Sequence, residues 1–503
     1  MLETLRQATS DASRRHRVSG ALDLALILAF AFLLRLAAIL AFPSLHHPDE
    51  NFQLFEQAHR LAFGYGVKPW EFEDGIRSLV LPYLLAKVFA FADPVFGGPR
   101  GYLICARVLL ALWSLVYVAA IYRMGLRSSR IHALLGGLVA ASWFELVYFA
   151  GRPLTEALAC DFLLVALAVA SRPRHELMHR HLLTIGLCFA MTLMLRAHLF
   201  AGILFAALWI AGGSFRERWA PLILGGLVPV ILFGAADWLA WGSPFHSYVA
   251  AFRVNLLQGK SAAFGTHAAY WYVERVYALW FAALPILLLL IGLRARASAL
   301  WIGVAVAILA SHSAIPHKEY RFVFPALACL IVTAAMGSAD LVEWVRRVRP
   351  RLAPYLAAGC AACWLLASAT LASGPGFSQN WTRSRDFIEM SFWLSGQTQL
   401  CGLALYDDSW IPTGGYAHLH RDVPIYALSR DRALARRSTE AFDFVLLRRA
   451  SIADFAPSYE LASCVGNGAS GDLCILRRQG SCRRLPRLVP LTEQSRLGAD
   501  PRD

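Results

Sequence analysis

Residues 21–53 read ALDLALILAFAFLLRLAAILAFPSLHHPDENFQ. The first part, to residue 42, is apolar apart from Asp23 and Arg35. That length matches the roughly 20 residues a helix needs to cross the hydrocarbon of a bilayer. Pro43 then ends the run, and His46, His47, Asp49 and Glu50 follow within a few residues. The whole chain shares this bias, with 57% hydrophobic and 16% charged residues and a mean hydropathy of +0.49. Soluble domains sit near roughly 45–50% apolar and about 25% charged, so an ordinary soluble enzyme and a disordered chain are both excluded. The net charge of +14 is almost all arginine, since the only lysines are Lys68, Lys87, Lys260 and Lys318. On so apolar a chain that charge reads as membrane topology and not as nucleic-acid binding.

The length rule places further spans near 101–122, 131–150, 153–171, 182–196, 198–213, 217–237, 275–293, 298–314, 321–340 and 354–373. The stretch 77–95 is short and carries Pro82 and Lys87. Without it, the connections holding Arg14–Arg17, Arg123–Arg130, Arg172–Arg180, Arg216–Arg218, Arg294–Arg296 and Arg346–Arg351 all fall on one side, which the positive-inside rule makes cytoplasmic. The expectation is therefore about eleven spans, with the N-terminus inside and the C-terminus outside. The opening MLETLRQATSDASRRHR leads into a run with no small-residue cleavage site, so it reads as an anchor and not a removed signal.

The outer side then carries loops over 43–100 and 241–274, short turns, and everything after residue 373. A division follows into a membrane domain, 1–373, and an extracytoplasmic domain, 374–503. The tail is polar and turn-rich with short strand-like runs, FDFVLL and DLCILRR, and is expected to form a small α/β cap. Six cysteines lie in spans as small core residues; Cys401, Cys464, Cys474 and Cys482 share the tail, where an oxidising compartment permits disulfides. Four cysteines allow three connectivities, and a zinc site is the alternative.

Within the first outer loop, Asp49, Gln53, Glu56 and Arg60 recur at helical spacing and are expected on one polar face. Phe52, Phe55 and Leu61–Phe63 supply apolar surface for an interfacial helix. Adjacent residues point about 100° apart, so Asp49 and Glu50 cannot both address one atom. The same pattern suits a plain helix start, with acids in the first turn. Further on, Trp70 and Glu71 read either as an interface anchor with solvated acids or as a platform for a sugar ring. Ionisable residues also end the outer turns: Arg152, Glu156, Arg196, His198, Asp237 and the run His317-Lys318-Glu319-Tyr320-Arg321. Singly they read as snorkelling charges; together on one face they suit an anion. Gly259, Lys260 and Ser261 lack Walker spacing, and no Ser/His/Asp order, HExxH or GxGxxG motif is present.

HPDENFQ at 47–53 with Glu56 and His59, PWEF at 69–72 with Arg77-Ser78, FGTHAAYWY at 264–272 and HKEYRF at 317–322 together resemble glycosyltransferase family 22, the α-mannosyltransferases of the endoplasmic reticulum and of glycolipid anchors, with bacterial relatives. The likeness covers about residues 20–340; Lys68-Pro69-Trp70-Glu71-Phe72 and Arg196-Ala197-His198 depart from the family pattern. It implies a membrane all-α fold, a polytopic GT-C bundle with interfacial helices in the first outer loop. It also implies an inverting transferase that takes a hexose, mannose first, from a polyprenyl-phosphate sugar and gives it to a hydroxyl of a lipid-linked glycan or glycolipid. Asp49 is then the base and Glu50 the fallback. Arg196, Lys318 and Arg321 carry the leaving phosphate, with Lys260 and Arg77 behind them. Glu71, Asp237, His267, His317 and Glu319 line the substrate site. No cofactor is required, although Asp49 and Glu71 near a diphosphate could hold a divalent metal. Arg- and Ala-rich usage suggests a GC-rich bacterial genome and hence the inner membrane with a periplasmic site. The rivals are another sugar (arabinose, glucose or galactose), a lipid-linked sugar transporter, which predicts charges at mid-membrane and two matching halves, and a scaffold protein with expendable acids.

Overall fold

The computed structural model describes residues 2–498 apart from Ala456, Asn467 and Arg496; the side chains of residues 2–19, the Arg14–Arg17 cluster among them, lie outside the description. The chain is a multi-pass membrane protein built mainly of helices. Among the described residues, five helices are long and apolar enough to cross a bilayer: Gly20–Ala41, Pro99–Leu126, Phe215–Trp241, Tyr320–Val348 and Ala353–Ser373. His179–Leu195, Ala197–Ala211 and Ala299–Ser313 are shorter apolar helices, and Thr155–Ala170 is another. The stretch 77–95 holds a 17-residue helix, Val80–Phe96.

Two expected spans are broken. Over 131–150, helix Arg130–Ser142 meets Phe144–Ala150 at 55°; over 275–293, Trp271–Trp280 meets Leu284–Arg294 at 106°. The first break is Trp143, whose extended backbone (φ −61°, ψ 128°) interrupts the helical ladder. The second precedes Pro285, which lacks an N–H and therefore starts a new helix more readily than it continues an old one.

The described residues form two compact units, one from residues 1–40, 108–232 and 265–378, the other from 41–107, 233–264 and 379–503. In the first, Tyr320–Val348 is the most enclosed of the five long helices, 89% of its apolar window being buried. Close approach elsewhere depends on glycine. A Cβ on Gly186 would stand 1.9 Å from the carbonyl oxygen of Leu222, and one on Gly225 2.1 Å from that of Leu183. Small residues at such helix crossings replace the hydrophobic drive that lipid does not supply. Arg35 is fully buried inside its span, and its guanidinium donates to Ser114 Oγ, Tyr117 Oη and the carbonyls of Ala31, Ala140 and Ala141. With every branch of its fork engaged, the buried cation escapes the cost of an unsatisfied donor.

In the second unit the first outer loop forms a π-helical turn, Glu50–Phe55, running into an α-helix, Glu56–Phe63, that ends at Gly64 in the left-handed conformation. Phe55 packs on Phe89, and Phe89 on Tyr102. The tail is the expected small α/β domain. Its five strands are β1 (Leu403–Leu405), β2 (Ile425–Ala427), β3 (Phe444–Arg448), β4 (Glu460–Val465) and β5 (Leu473–Arg477), in the order β2-β1-β3-β5-β4. β1 runs parallel to β2 and β3, while β5 is antiparallel to β3 and β4. The runs FDFVLL and DLCILRR become β3 and β5. Leu403, Leu405, Phe444, Leu446 and Ile475 face one core, and Ala404, Val445, Leu447, Cys474 and Leu476 the other. Burial on both faces explains why these strands read as unbroken apolar runs.

Of the three cysteine pairings, the structure contains Cys401–Cys482 and Cys464–Cys474. The second joins facing residues of β4 and β5. The zinc alternative is corrected here: Cys401 and Cys482 lie near Asp443, but both of their sulfurs are committed to the disulfide.

Candidate active site

Asp49 and Glu50 point apart, as their adjacency requires. Glu50 is fully buried; its Oε1 accepts the His46 amide at 2.8 Å, and its Oε2 lies 3.8 Å from the Arg107 guanidinium. Asp49 keeps 18% of its side chain exposed, with one oxygen 3.2 Å from His47 Nδ1. The open carboxylate of the pair is therefore Asp49.

Glu71 belongs to the same acidic cluster. Gln53 Nε2 donates to its Oε1 at 3.0 Å, and the Arg77 guanidinium lies 3.8 Å from that oxygen. Burial, with the charge of Asp49 adding to it, raises the Glu71 carboxyl above the usual carboxylate range against the pull of Arg77.

The expected polar face of the loop is not kept. Gln53 turns to Glu71, whereas Glu56 is buried against the amides of Val67 and Ala417, and Arg60 donates to Gln57. The π turn is the cause, because i to i+5 bonding advances less per residue than the α-helical period assumed for the spacing. Trp70 is likewise no open sugar platform. It is 5% exposed, stacks on Phe264 with centroids 6.2 Å apart, has Lys260 Nζ 5.6 Å from its ring centroid, and donates its amide to Leu497. Asp237 is fully buried and accepts both the amide and the hydroxyl of Ser247 through Oδ2, at 2.8 and 2.6 Å. It thereby holds the start of helix His246–Phe252.

The other unit carries a cluster of cations. Glu156 Oε1 lies 2.6 Å from Arg196 and 3.1 Å from Arg321, and all three side chains are at least 90% buried. Arg321 Nε also donates to Glu319 Oε2 at 2.6 Å, and Glu319 Oε1 meets His317 Nε2 at 3.1 Å. That contact raises the His317 pKa, with the Gly265 carbonyl at Nδ1 adding to it. Two arginines bridged through one carboxylate present a fixed pair of guanidinium forks, the arrangement that recognises phosphate oxygens. Lys318 is turned the other way, its ammonium donating to the carbonyls of Ile315 and His267. The His267 ring stacks on Trp271 at 4.7 Å.

Sequence reasoning noticed Glu156 as a charge at a span end but did not assign it to the site. Its signal was faint, since its partners are 40 and 165 residues downstream. Arg107, beneath Glu50, sat inside an apolar run and was not singled out.

A family model described as the Alg9-like mannosyltransferase family matches residues 26–380. The GPI mannosyltransferase 3 of Yarrowia lipolytica is 26% identical over 82% of this chain and 78% of its own length. The GPI alpha-1,2-mannosyltransferase 3 of Xenopus laevis is 23% identical over 59% of this chain; the chain spans little more than half of that relative, 57%. Among solved structures, ArnT from Cupriavidus metallidurans bound to undecaprenyl phosphate superposes with a TM-score of 0.62 at 11% identity, covering 90% of this chain and 97% of the other. At that identity the likeness concerns the GT-C fold.

Proposed function

We propose, because this chain belongs to the Alg9-like mannosyltransferase family and is a membrane-embedded GT-C mannosyltransferase, that it moves mannose from a polyprenyl-phosphate donor to a hydroxyl of a lipid-linked glycan or glycolipid. The relatives' names suggest a 1,2 linkage on an anchor-type glycolipid. The reaction faces the periplasm or an equivalent lumen, and the bacterial inner membrane is the proposed setting. A lipid-phosphate donor suits that side, where its chain enters from the bilayer and its head group rests at the surface.

The leaving phosphate is a stable anion, so it needs cations and no general acid. Arg196 and Arg321, held together by Glu156, are proposed to take that charge. Glu319 and His317 orient Arg321, and Lys318 braces the loop through main-chain carbonyls. The acceptor hydroxyl needs a base on the opposite face of the sugar. Asp49 is proposed for it, giving inversion from a β-linked donor to an α-linked product, with Glu71 and Arg77 ordering the acceptor. Asp237, Lys260 and His267 shape the second outer loop. The scheme requires no metal; Asp49 and Glu71 are the residues that would hold a divalent ion beside a diphosphate.

The observation that carries the reading is the contrast between the open Asp49 and the enclosed Glu50 in a chain of this family. Its test is transfer by purified detergent-solubilised protein from polyprenyl-phosphate mannose into a pool of lipid acceptors. Asp49→Asn is expected to lose about a hundredfold or more in rate, the usual scale of general-base effects. Full activity in that variant removes the assignment of the base, and transfer only from another polyprenyl-phosphate sugar removes mannose.

A further inference from the structure

Glu145 lies outside every group invoked so far, yet it accepts from three side chains. The indole N–H of Trp143 donates to its Oε2 at 2.9 Å, and that of Trp280 to the same oxygen at 3.2 Å. The hydroxyl of Tyr320 donates to Oε1. Glu145, Trp143 and Trp280 are each 1% exposed, and the two indoles meet edge to face at 6.0 Å.

The places from which these donors come are informative. Trp143 is the non-helical residue at the break of the first bent span. Trp280 is the last residue before the break of the second. Tyr320 opens the long helix Tyr320–Val348 and stands between Glu319 and Arg321 in the HKEYR run. One carboxyl thus ties two helix breaks to the first turn of the helix that presents the phosphate-binding arginine. A buried indole N–H without a partner is costly, so this carboxyl has a structural duty at the two tryptophans and a separate one at Tyr320.

We infer that Glu145 is a positioning residue for the lipid-phosphate site: through Tyr320 it sets the position of Arg321, and with it the affinity for the donor's phosphate. The inference rests on the proposed reaction. It predicts weaker donor binding, which raises KM, and, because Arg321 also takes the charge that grows on the leaving phosphate, a smaller accompanying fall in kcat.

Three variants divide the two duties. Tyr320→Phe cuts only the link to the HKEYR run; the donor KM is expected to rise about tenfold, with kcat falling by less than KM rises and a melting temperature close to wild type. Glu145→Leu removes both duties and is expected to show the same KM rise together with a lower melting temperature. Glu145→Gln keeps an oxygen for the indoles and an amide for the Tyr320 oxygen, so it should restore the wild-type KM. The Glu145→Leu/Tyr320→Phe double variant should match Glu145→Leu alone in KM, because the two residues act as one link. A second readout does not depend on transfer, namely the rise in melting temperature that undecaprenyl phosphate gives; it should shrink in Tyr320→Phe and in Glu145→Leu. A wild-type KM and a wild-type undecaprenyl-phosphate shift in Tyr320→Phe overturn the inference alone. A wild type that binds undecaprenyl phosphate but transfers no mannose overturns the function, and the shift then decides the inference by itself. A wild type that shows neither binding nor transfer overturns both.

Discussion

Glu56 Oε2 accepts the backbone amide of Ala417 at 2.8 Å, across 361 residues of chain, while its Oε1 accepts that of Val67 at 2.7 Å. Both bonds lie within one compact unit, and both donors are main-chain groups. A glutamine in this place has one acceptor oxygen and would face its amide toward a backbone N–H. Glu56→Gln is therefore expected to cost about 1–3 kcal/mol, the price of a buried unsatisfied donor. Thermal unfolding in detergent measures it, and an unchanged melting temperature would remove the role given to Glu56.

The same neighbourhood makes stability depend on pH in two opposing ways. Burial raises the Glu56 pKa to about 7. The folded state then holds a proton that the unfolded state releases above about 4.5, so this group's contribution is complete in acid and is lost as pH climbs to about 7. Burial lowers His59 to about 3 and His418 to about 4, and it lowers His420, 3.0 Å from His59, in the same direction. These histidines are neutral when folded and charge when unfolded below about 6.5, so their contribution is present above that pH and fades in acid. Between about 4.5 and 6.5 these groups pull in opposite directions, and Glu71, raised by burial like Glu56, pulls with it. The clean readout is therefore the difference between wild type and a single histidine variant. His59→Asn should remove about one proton from the slope, roughly 1.4 kcal/mol per pH unit. A pH series of melting curves on wild type and variant checks both the sign and the slope.

Glu156 offers a different kind of test. Glu156→Gln keeps the shape of the bridge between Arg196 and Arg321 but removes the charge that lets two guanidinium groups lie together. The donor KM is expected to rise. Arg321→Lys should fare no better, because an ammonium cannot serve Glu156, Glu319 and a phosphate with one planar fork. Steady-state kinetics with varied polyprenyl-phosphate mannose reads both, and an unchanged KM in both would take the phosphate away from this cluster.

The two disulfides should differ in weight. Cys464–Cys474 closes a separation of 10 residues and Cys401–Cys482 one of 81. On the chain-entropy account these correspond to about 2.7 and about 4.5 kcal/mol. Replacing Cys401 and Cys482 by serine is therefore expected to lower the melting temperature more than replacing Cys464 and Cys474.

Much of this molecule was legible before its structure. The places of the apolar helices follow from hydropathy, although five of them, or seven with the two bent pairs, and not eleven, are long enough to span a bilayer among the described residues, and β3 and β5 follow from unbroken apolar runs. The HKEYR run announced itself because charges beside an apolar helix are costly without a purpose. What the sequence did not carry was register and remote partnership. The face assigned to Asp49, Gln53, Glu56 and Arg60 assumed an α-helical period, and the π turn at Glu50–Phe55 broke it. Glu156 looked like one span-end charge among several because its partners arrive 40 and 165 residues later, and Glu145 drew no reading at all. Trp70 looked like an open platform because nothing near it in sequence announces Phe264 or Leu497 as its cover.

The amide that meets Glu56 has a consequence for biosynthesis. A ribosome adding about 5–20 residues per second needs roughly 20–70 seconds to travel from Glu56 to Ala417, 361 residues later. For that interval the helix Glu56–Phe63 has left the ribosome without its final neighbour. The unit it belongs to closes only when the last of its three chain segments, residues 379–503, has been made. Assembly of this unit thus waits on its latest-made segment, and the first outer loop spends that interval without the main-chain partner that Glu56 has in the folded unit.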